Sequence, residues 1–238
     1  MTECKHPKTI VLRIALYLLG MLSLSVSLTL NTKVTLGVSS IISVAHCVSV
    51  LTGCSIGDTT LLWYILLIAA QIVLHLRRKA PNWKQVIAFD LLQLPVSLVF
   101  TRFMNLFADA IPVFETAYPG TFWGGIAGRL CLLVLAIVLT GIGAALTLNM
   151  RLIPNPGDGI VQAIADYFRK PMGTAKNLTD LCCVALTAAV SLCFAHKIIG
   201  IGVGTLLAAL GTGRVIALFN RFFAARLQTL VPDKAAAQ

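Results

Sequence analysis

The chain has 238 residues, of which 58% are hydrophobic and only 12% are charged. Soluble proteins carry about 25% charged residues, so this composition excludes a soluble domain and is typical of a polytopic membrane protein. The formal net charge of +10 does not indicate nucleic acid as a partner, because the basic residues stand at the ends of apolar runs rather than along one polar face.

Six apolar runs are long enough to cross a lipid bilayer, because a crossing helix needs about 20 residues. Two segments between them, 37–52 and 159–171, are too short to cross and are predicted to form re-entrant or interfacial helices. The fold class expected is therefore all-α, with six transmembrane helices. In chain order the predicted crossings cover residues 10–30, 60–76, 86–106, 130–148, 178–195 and 198–220.

The tetrapeptide LTLN occurs twice, ending at Asn31 and again at Asn149. Each copy is followed by a basic residue, a polar stretch with glycine, one short segment and two long apolar runs. We interpret this as a duplication, with repeat 1 at residues 1–118 and repeat 2 at 119–238, together one membrane domain. Each repeat has an odd number of crossings, so the second is expected to be inverted, as is common in secondary transporters.

The positive charges predict which side of the membrane each loop occupies. If the N-terminus is cytoplasmic, most lysines and arginines fall on the cytoplasmic side, including those of the loop at residues 77–84. The connection at 109–120 contains no lysine or arginine and falls outside. The positive-inside rule therefore predicts a bacterial inner-membrane protein with both termini in the cytoplasm.

Three glycine-bearing segments carry a resemblance to a known family. TLGVSSIISVAHCVSVLTGCSIGDTTLLWYIL is similar to an LG-x-S-P-W-D motif followed by a short helix and a TG-x-S-x-G turn. NPGDGIVQAIADYFRKPMGTAKNLTDL is near a GP-x-DG pattern, and IGIGVGTLLAALGTGRVI looks like a G-x-GT helix. On these motifs nearly the whole chain resembles the YczE/YitT-like family of bacterial membrane proteins. The resemblance implies six inner-membrane helices and an activity that is broadly unassigned, with transport as the common guess.

The chain departs from that family pattern at one place. Where the family has Pro-Trp-Asp, the first repeat has Ser40, Ile41 and Ile42, while the second repeat retains its carboxylate as Asp158. The resemblance therefore implies that a site using a carboxylate at this point is one-sided.

The sequence NPGDG begins at Asn155 and places Asp158 at the predicted start of a short helix. Pro156 disfavours helix at the residue before it, and an aspartate at a helix start is a good N-cap. The same carboxylate could also bind a cation or a polar solute, and the two roles are compatible. In the first repeat Ser39 and Ser40 take the capping position without a charge.

Asp90 and Arg214 each lie within the last crossing of a repeat. Both are expected about 10 Å inside the cytoplasmic boundary, counting 1.5 Å per helical residue. A lone charge at such a depth costs at least about 2–3 kcal/mol, so we expect the two to form an ion pair. The pair would hold the repeats together or act as a gate or coupling pair, and Gln93 shares the face of Asp90.

His46 lies midway along the first short segment, where it is either a satisfied histidine or a proton relay. Asn31, Asn149 and Asn155 are expected to line a cavity together with Asp158. The chain has no C-x-x-C pair, no P-loop and no convincing nucleophile and base, so we expect no enzyme activity, metal or cofactor.

The function expected is a secondary transporter or exporter of a small polar or cationic solute, working by alternating access between the repeats. The alternative is a non-transporting membrane subunit or accessory protein, such as a substrate-binding component or a partner in secretion or envelope stress. The expected partners are the lipid bilayer and an unidentified small molecule or ion, and a homodimer or a partner subunit stays open.

Overall fold

The computed structural model of the chain describes residues 7–78 and 83–230. This part of the chain forms nine helices and no strand, and six of the helices are long and apolar enough to cross a membrane. Both results confirm the predicted fold class. In chain order the helices are α1 (Pro7–Lys33), α2 (Ser40–Thr52), α3 (Ile56–Arg78), α4 (Trp83–Ala110), α5 (Phe114–Ala117), α6 (Ile126–Met150), α7 (Pro156–Phe168), α8 (Met172–Ala195) and α9 (Val203–Leu230).

Several predicted boundaries were wrong by a turn or more. The second crossing begins at Ile56 rather than at residue 60, because the first turn of a helix accepts polar side chains on its free N–H groups. There Ser55 Oγ donates to Asp58 Oδ2 over 2.5 Å. The last crossing begins at Val203 rather than at residue 198, because His196 and Gly200 adopt positive φ angles of 55° and 76° and turn the chain. The two chain ends, predicted to be cytoplasmic, lie outside the described residues.

The helices α1 and α6, which follow the two predicted repeat starts, pack against each other over their length. Near one end of the contact Arg13 Nε donates to the carbonyl of Met150 over 2.7 Å. Towards the middle Gly20 meets Gly143, where a Cβ on either residue would lie less than 3 Å from the backbone oxygen of the other. One residue number rises as the other falls, so α1 and α6 run antiparallel, and their glycines allow the backbones to approach closely.

The two short helices each run beside a membrane-length helix. Three hydrogen bonds are spaced along the contact of α2 with α8, joining Ser40 to Asp180, Ser43 to Thr187 and Cys47 to Ser191. Both residue numbers rise together, so α2 is parallel to α8 and follows it for most of its length. A helix lying flat at the membrane interface would meet α8 at one end only. This packing therefore fits a re-entrant helix rather than an interfacial one.

The second short helix, α7, packs in the same way beside α3. Gln71 Nε2 donates to the carbonyl of Pro156 over 3.2 Å, and two to three turns further along Arg78 pairs with Asp166 at 2.6 Å. The numbers again rise together, so α7 is parallel to α3. The contacts of α2 with α8 are thus matched by those of α7 with α3, and those of α1 with α4 by those of α6 with α9.

The first turns of α2 and α7 meet near the middle of the bundle. A Cβ built on Gly157 would lie 3.0 Å from Ile41 Cγ1, so the two turns are in contact. We call this meeting point, residues 39–42 together with residues 155–159, the junction. Because each turn exposes the N-terminal end of a helix dipole, the junction combines two partial positive charges and favours negatively charged groups nearby. The predicted division of the chain after residue 118 falls in the connection between α5 and α6 and stays a prediction.

Candidate functional site

The carboxylate of Asp158 lies in the first turn of α7 but does not cap that helix. The N-cap is Asn155, whose Oδ1 accepts a hydrogen bond from the backbone N–H of Gly157 over 3.0 Å. The predicted capping role of Asp158 is therefore wrong, because Pro156 at the first helical position starts the helix three residues earlier than expected. In the described part of the chain the Asp158 carboxylate forms no ion pair.

At the start of α2 the two serines have different roles from those predicted. Ser39 occupies the N-cap position but makes no side-chain capping bond. Ser40, the first helical residue, donates from Oγ to Asp180 Oδ1 on α8 over 2.6 Å instead. The junction therefore gains a second carboxylate, Asp180, which the sequence did not single out as a site residue. Asp180 also receives Lys176 Nζ at 3.4 Å, one turn earlier on the same helix.

The ionisable side chains around the junction include two carboxylates and one ammonium group. Asp158 and Asp180 each carry a carboxylate, while Lys176 supplies the ammonium group that acts on both. Burial raises the pKa of Asp158 above its ordinary value, the positive charge of Lys176 opposes that shift, and the negative charge of Asp180 adds to it. The side chains alone leave one negative charge in excess, and the two helix N-termini, each with a partial positive charge, stabilise the carboxylates.

A cavity of about 850 Å³, which we call cavity 1, opens at the end of the molecule where α1 and α4 finish. Its wall includes Lys33, Asp58 and Asp109, so it is polar and carries charges of both signs. Its inner part reaches His46 and Val38, two residues before Ser40. Cavity 1 therefore ends beside the junction.

A second cavity of about 360 Å³, cavity 2, opens at the opposite end, where α3 finishes and α4 begins. Its rim carries Arg78 and Asp166, which pair with each other at 2.6 Å. Its inner part reaches Gly159, the residue next to Asp158. The junction thus stands between the inner ends of two cavities that open at opposite ends of the bundle.

The predicted ion pair between Asp90 and Arg214 is wrong. Asp90 is 4% exposed, and its Oδ2 lies 2.7 Å from Nδ1 of His75 on α3, whereas Arg214 is exposed on α9. The reason is packing: α4 lies along α3, while α9 lies along α6. The predicted neighbour Gln93 is confirmed, since its Nε2 donates to Asp90 Oδ1 over 3.4 Å. The pair of Asp90 and His75 lies in the wall of cavity 2.

Of three further predicted site residues, one lines cavity 1 and two line neither cavity. Asn31 is 3% exposed, and among the described residues its Oδ1 has no hydrogen-bond partner. Asn149 donates to Asn220 Oδ1 over 2.7 Å, and neither Asn31 nor Asn149 lines cavity 1 or cavity 2. His46 does line cavity 1, and burial lowers its pKa from 6.5 to about 4, so its imidazole is neutral at physiological pH.

The glutamine Gln71 and the histidine His75 on α3 are site residues that the sequence analysis missed. Gln71 is fully buried and exchanges hydrogen bonds with Gln93 on α4, the shorter of which runs from Gln93 Nε2 to Gln71 Oε1 over 3.0 Å. The signal was present in the sequence. Gln71 and His75 stand four residues apart, and Asp90 and Gln93 stand three apart, so each pair marks one polar face on an otherwise apolar helix.

These features define an all-helical membrane protein whose two short helices meet end to end between opposed cavities. The chain matches DUF6198, a family of unknown function, over residues 11–221, and it belongs to this family. No curated protein and no solved structure matches it. The match agrees with the expectation of an uncharacterised family, but it does not name the YczE/YitT-like proteins, so that resemblance stays a prediction.

Proposed function

We propose that the protein is a secondary transporter or exporter that moves a small polar or cationic solute between cavity 1 and cavity 2 through the junction. The observation that carries the proposal is the position of the junction, with Val38 of cavity 1 on one side and Gly159 of cavity 2 on the other. Val38 directly precedes the first residue of the junction in sequence, and Gly159 is the last residue of the junction. A small relative movement of α2 and α7 would therefore open a path from one to the other.

The arrangement of the helices supports alternating access as the mechanism. The antiparallel α1 and α6, together with the matched contacts of α2 with α8 and of α7 with α3, are what two inverted repeats would produce. In such a protein the structure of one half in the outward state resembles that of the other half in the inward state. Cavity 1 is the larger of the two cavities here, so we assign this structure to a state open towards the end where α1 finishes.

The chemistry of the junction supports a polar or cationic solute. Asp158 and Asp180 outnumber Lys176, and the hydroxyl of Ser40 stands within the same group. A carboxylate without an ion pair is costly inside a membrane protein, which favours a positively charged or hydrogen-bonding ligand that neutralises it. In this proposal Asp158 binds the solute directly, and Asp180 holds the start of α2.

The charge distribution supports a bacterial inner-membrane location with the mouth of cavity 2 in the cytoplasm. The end of the molecule at cavity 2 carries Arg78, Lys84 and Arg151, while the acidic Asp58 and Asp109 stand at cavity 1. Positive residues concentrate on the cytoplasmic side of inner-membrane proteins. The relation to the YczE/YitT-like family is part of the same proposal.

The proposal is tested with purified protein in liposomes and a panel of small amines, amino acids and alkali cations. We expect at least one solute to raise the melting temperature, because ligand binding stabilises the folded state, and to cross the liposome membrane faster than in protein-free liposomes. Asp158→Asn should abolish both effects while leaving the far-ultraviolet circular dichroism unchanged. The control is Glu115→Gln, which removes an ion-paired carboxylate that lines neither cavity and should leave both effects in place.

Two outcomes would count against the proposal. Solute flux at the wild-type rate in Asp158→Asn would show that the solute does not pass through the junction. Flux no faster than in protein-free liposomes for every member of the panel would instead favour the alternative, a non-transporting subunit or accessory protein.

A further inference from the structure

We infer that His75 and Asp90 form a proton-binding site in the wall of cavity 2, and that the proton bound there is the ion coupled to solute movement. This inference rests on the proposed transport function and adds to it the identity of the coupling ion. It is carried by the geometry of four polar side chains, three of them buried, that connect cavity 2 to the first turn of α7.

The two titratable groups touch each other in a place that cavity water can reach. His75 Nδ1 lies 2.7 Å from Asp90 Oδ2, and the two side chains are 13% and 5% exposed. In the state with Asp90 ionised, the carboxylate can only accept hydrogen bonds, so Nδ1 of the imidazole carries the hydrogen and donates it. Nε2 is then left with a lone pair, because each ring nitrogen of a neutral histidine takes a different role.

Proton uptake at this site needs no other reactant. A proton from cavity water adds to the lone pair of His75 Nε2, and no covalent bond between heavy atoms forms or breaks. The pair changes from a neutral imidazole with a carboxylate, charge −1, to an imidazolium with a carboxylate, charge zero. Because burial makes a net charge costly, the change in charge strongly alters the strength of the hydrogen bonds that Asp90 accepts.

The other charged groups at this end of the bundle are engaged elsewhere or lie further away. Arg78 of α3 pairs with Asp166 of α7 at 2.6 Å, and Arg13 of α1 donates to a backbone carbonyl. Arg151, in the loop before α7, also lines cavity 2, and Lys84 stands in the first turn of α4. Among the described residues, His75 is the one ion-pair partner within 4 Å of Asp90.

A buried row of amides leads from the pair to the junction. Asp90 Oδ1 accepts from Gln93 Nε2, the same Nε2 donates to Gln71 Oε1, and Gln71 Nε2 donates to the carbonyl of Pro156. Pro156 is the first residue of α7 and stands two residues before Asp158. Gln71 and Gln93 are 0% and 1% exposed, so neither amide can turn to water when its partner changes. Protonation of the pair therefore alters how firmly the row of amides holds the first turn of α7.

The inference is tested by measuring how pH shifts access to the two cavities in lipid nanodiscs, where both faces share one solution. Two reporter cysteines, Ser49→Cys in cavity 1 and Gln162→Cys in cavity 2, are introduced separately into a cysteine-free background. Their rates of reaction with a membrane-impermeant maleimide are divided by the rate of a free cysteine peptide at the same pH. We expect the ratio of the two corrected rates to change about fivefold or more between about pH 8.5 and about pH 5.5.

Variants then assign the response to the pair. His75→Gln keeps a hydrogen-bond donor beside Asp90 but cannot take up the proton, so its rate ratio should not depend on pH. Glu115→Gln removes an ion-paired carboxylate that is 55% exposed and lines neither cavity, and its rate ratio should change with pH as in the wild type. Because a variant can misfold, the wild-type protein is also titrated by ¹⁵N-histidine NMR, with the His75 signal assigned by its absence in His75→Gln. Nε2 of His75 should titrate while Nδ1 stays protonated.

Some results would contradict the proton site alone, and others would contradict the proposed transport function. If His75 takes up no proton over the pH range in which the rate ratio changes, or if His75→Gln responds to pH like the wild type, the proton site is wrong. In either case the proposed transport function is retained as long as a solute or Asp158→Asn still shifts the two labelling rates in opposite directions. If no solute, pH or variant shifts the two labelling rates in opposite directions, the proposed transport function is wrong.

Discussion

The substitution Gly159→Ala should break the buried amide pair of Gln71 and Gln93. A Cβ at residue 159 would lie 2.4 Å from Gln71 Oε1 and 3.1 Å from Gln93 Nε2, and both side chains are enclosed, so Gln71 must leave its bond. A buried carbonyl without a partner costs about 1–3 kcal/mol. The better helix propensity of alanine offsets at most about 1 kcal/mol. We therefore expect the free energy of unfolding to fall by about 1–2 kcal/mol.

A double-mutant cycle tests the reason for that loss. If the cost comes from the clash with Gln71, then Gly159→Ala should cost at least about 1 kcal/mol less in a Gln71→Ala background than in the wild type. Unfolding is followed by circular dichroism in mixed micelles with increasing dodecyl sulfate. Gly173→Ala is the control, because a Cβ there meets nothing within 4 Å. Additivity of the two substitutions within about 0.3 kcal/mol would refute the reasoning.

Two other substitutions test the packing of α3 and the state of His46. Gly57→Ala should lower the free energy of unfolding by about 1–3 kcal/mol, because its Cβ would lie 2.2 Å from the backbone oxygen of Thr101; a thermal scan showing no loss would contradict this. Burial lowers the pKa of His46 from 6.5 to about 4, so the unfolded state binds the extra proton first and stability should fall as pH drops from about 6.5 to about 4. His46→Gln should flatten that part of the pH profile of unfolding, and a profile identical to the wild type would count against a neutral buried imidazole.

The length of each apolar run was enough to predict the crossings, because crossing a bilayer is a requirement on length and composition alone. The partner of Asp90 was not predictable in the same way. Counting residues gave an expected depth for Asp90 and Arg214 but not the direction in which either side chain points. Topology would have helped: α3 and α4 are joined by residues 79–82, and helices with so short a connection are antiparallel neighbours. That constraint favours His75 over Arg214.

The start of α7 shows a second limit. The prediction placed Asp158 at the helix start because aspartate is a good N-cap, but asparagine is equally good and Pro156 is favoured at the first helical position. Applying both rules together selects Asn155, as observed. The contact between α2 and α7 at Ile41 and Gly157 could not be predicted from the sequence, because nothing in either segment encodes the distance between them. Such a contact follows from how the long helices pack.

The claim on which the transport proposal depends is that the two halves face opposite sides of the membrane. It is tested most directly in sealed vesicles of one orientation, with single cysteines at Thr35, in the wall of cavity 1, and at Gly173, in the first turn of α8. We predict that a membrane-impermeant maleimide added outside labels one of the two positions, and that the other reacts only after the vesicles are opened. Labelling of both positions from the same side would contradict the inverted arrangement and the alternating access built on it.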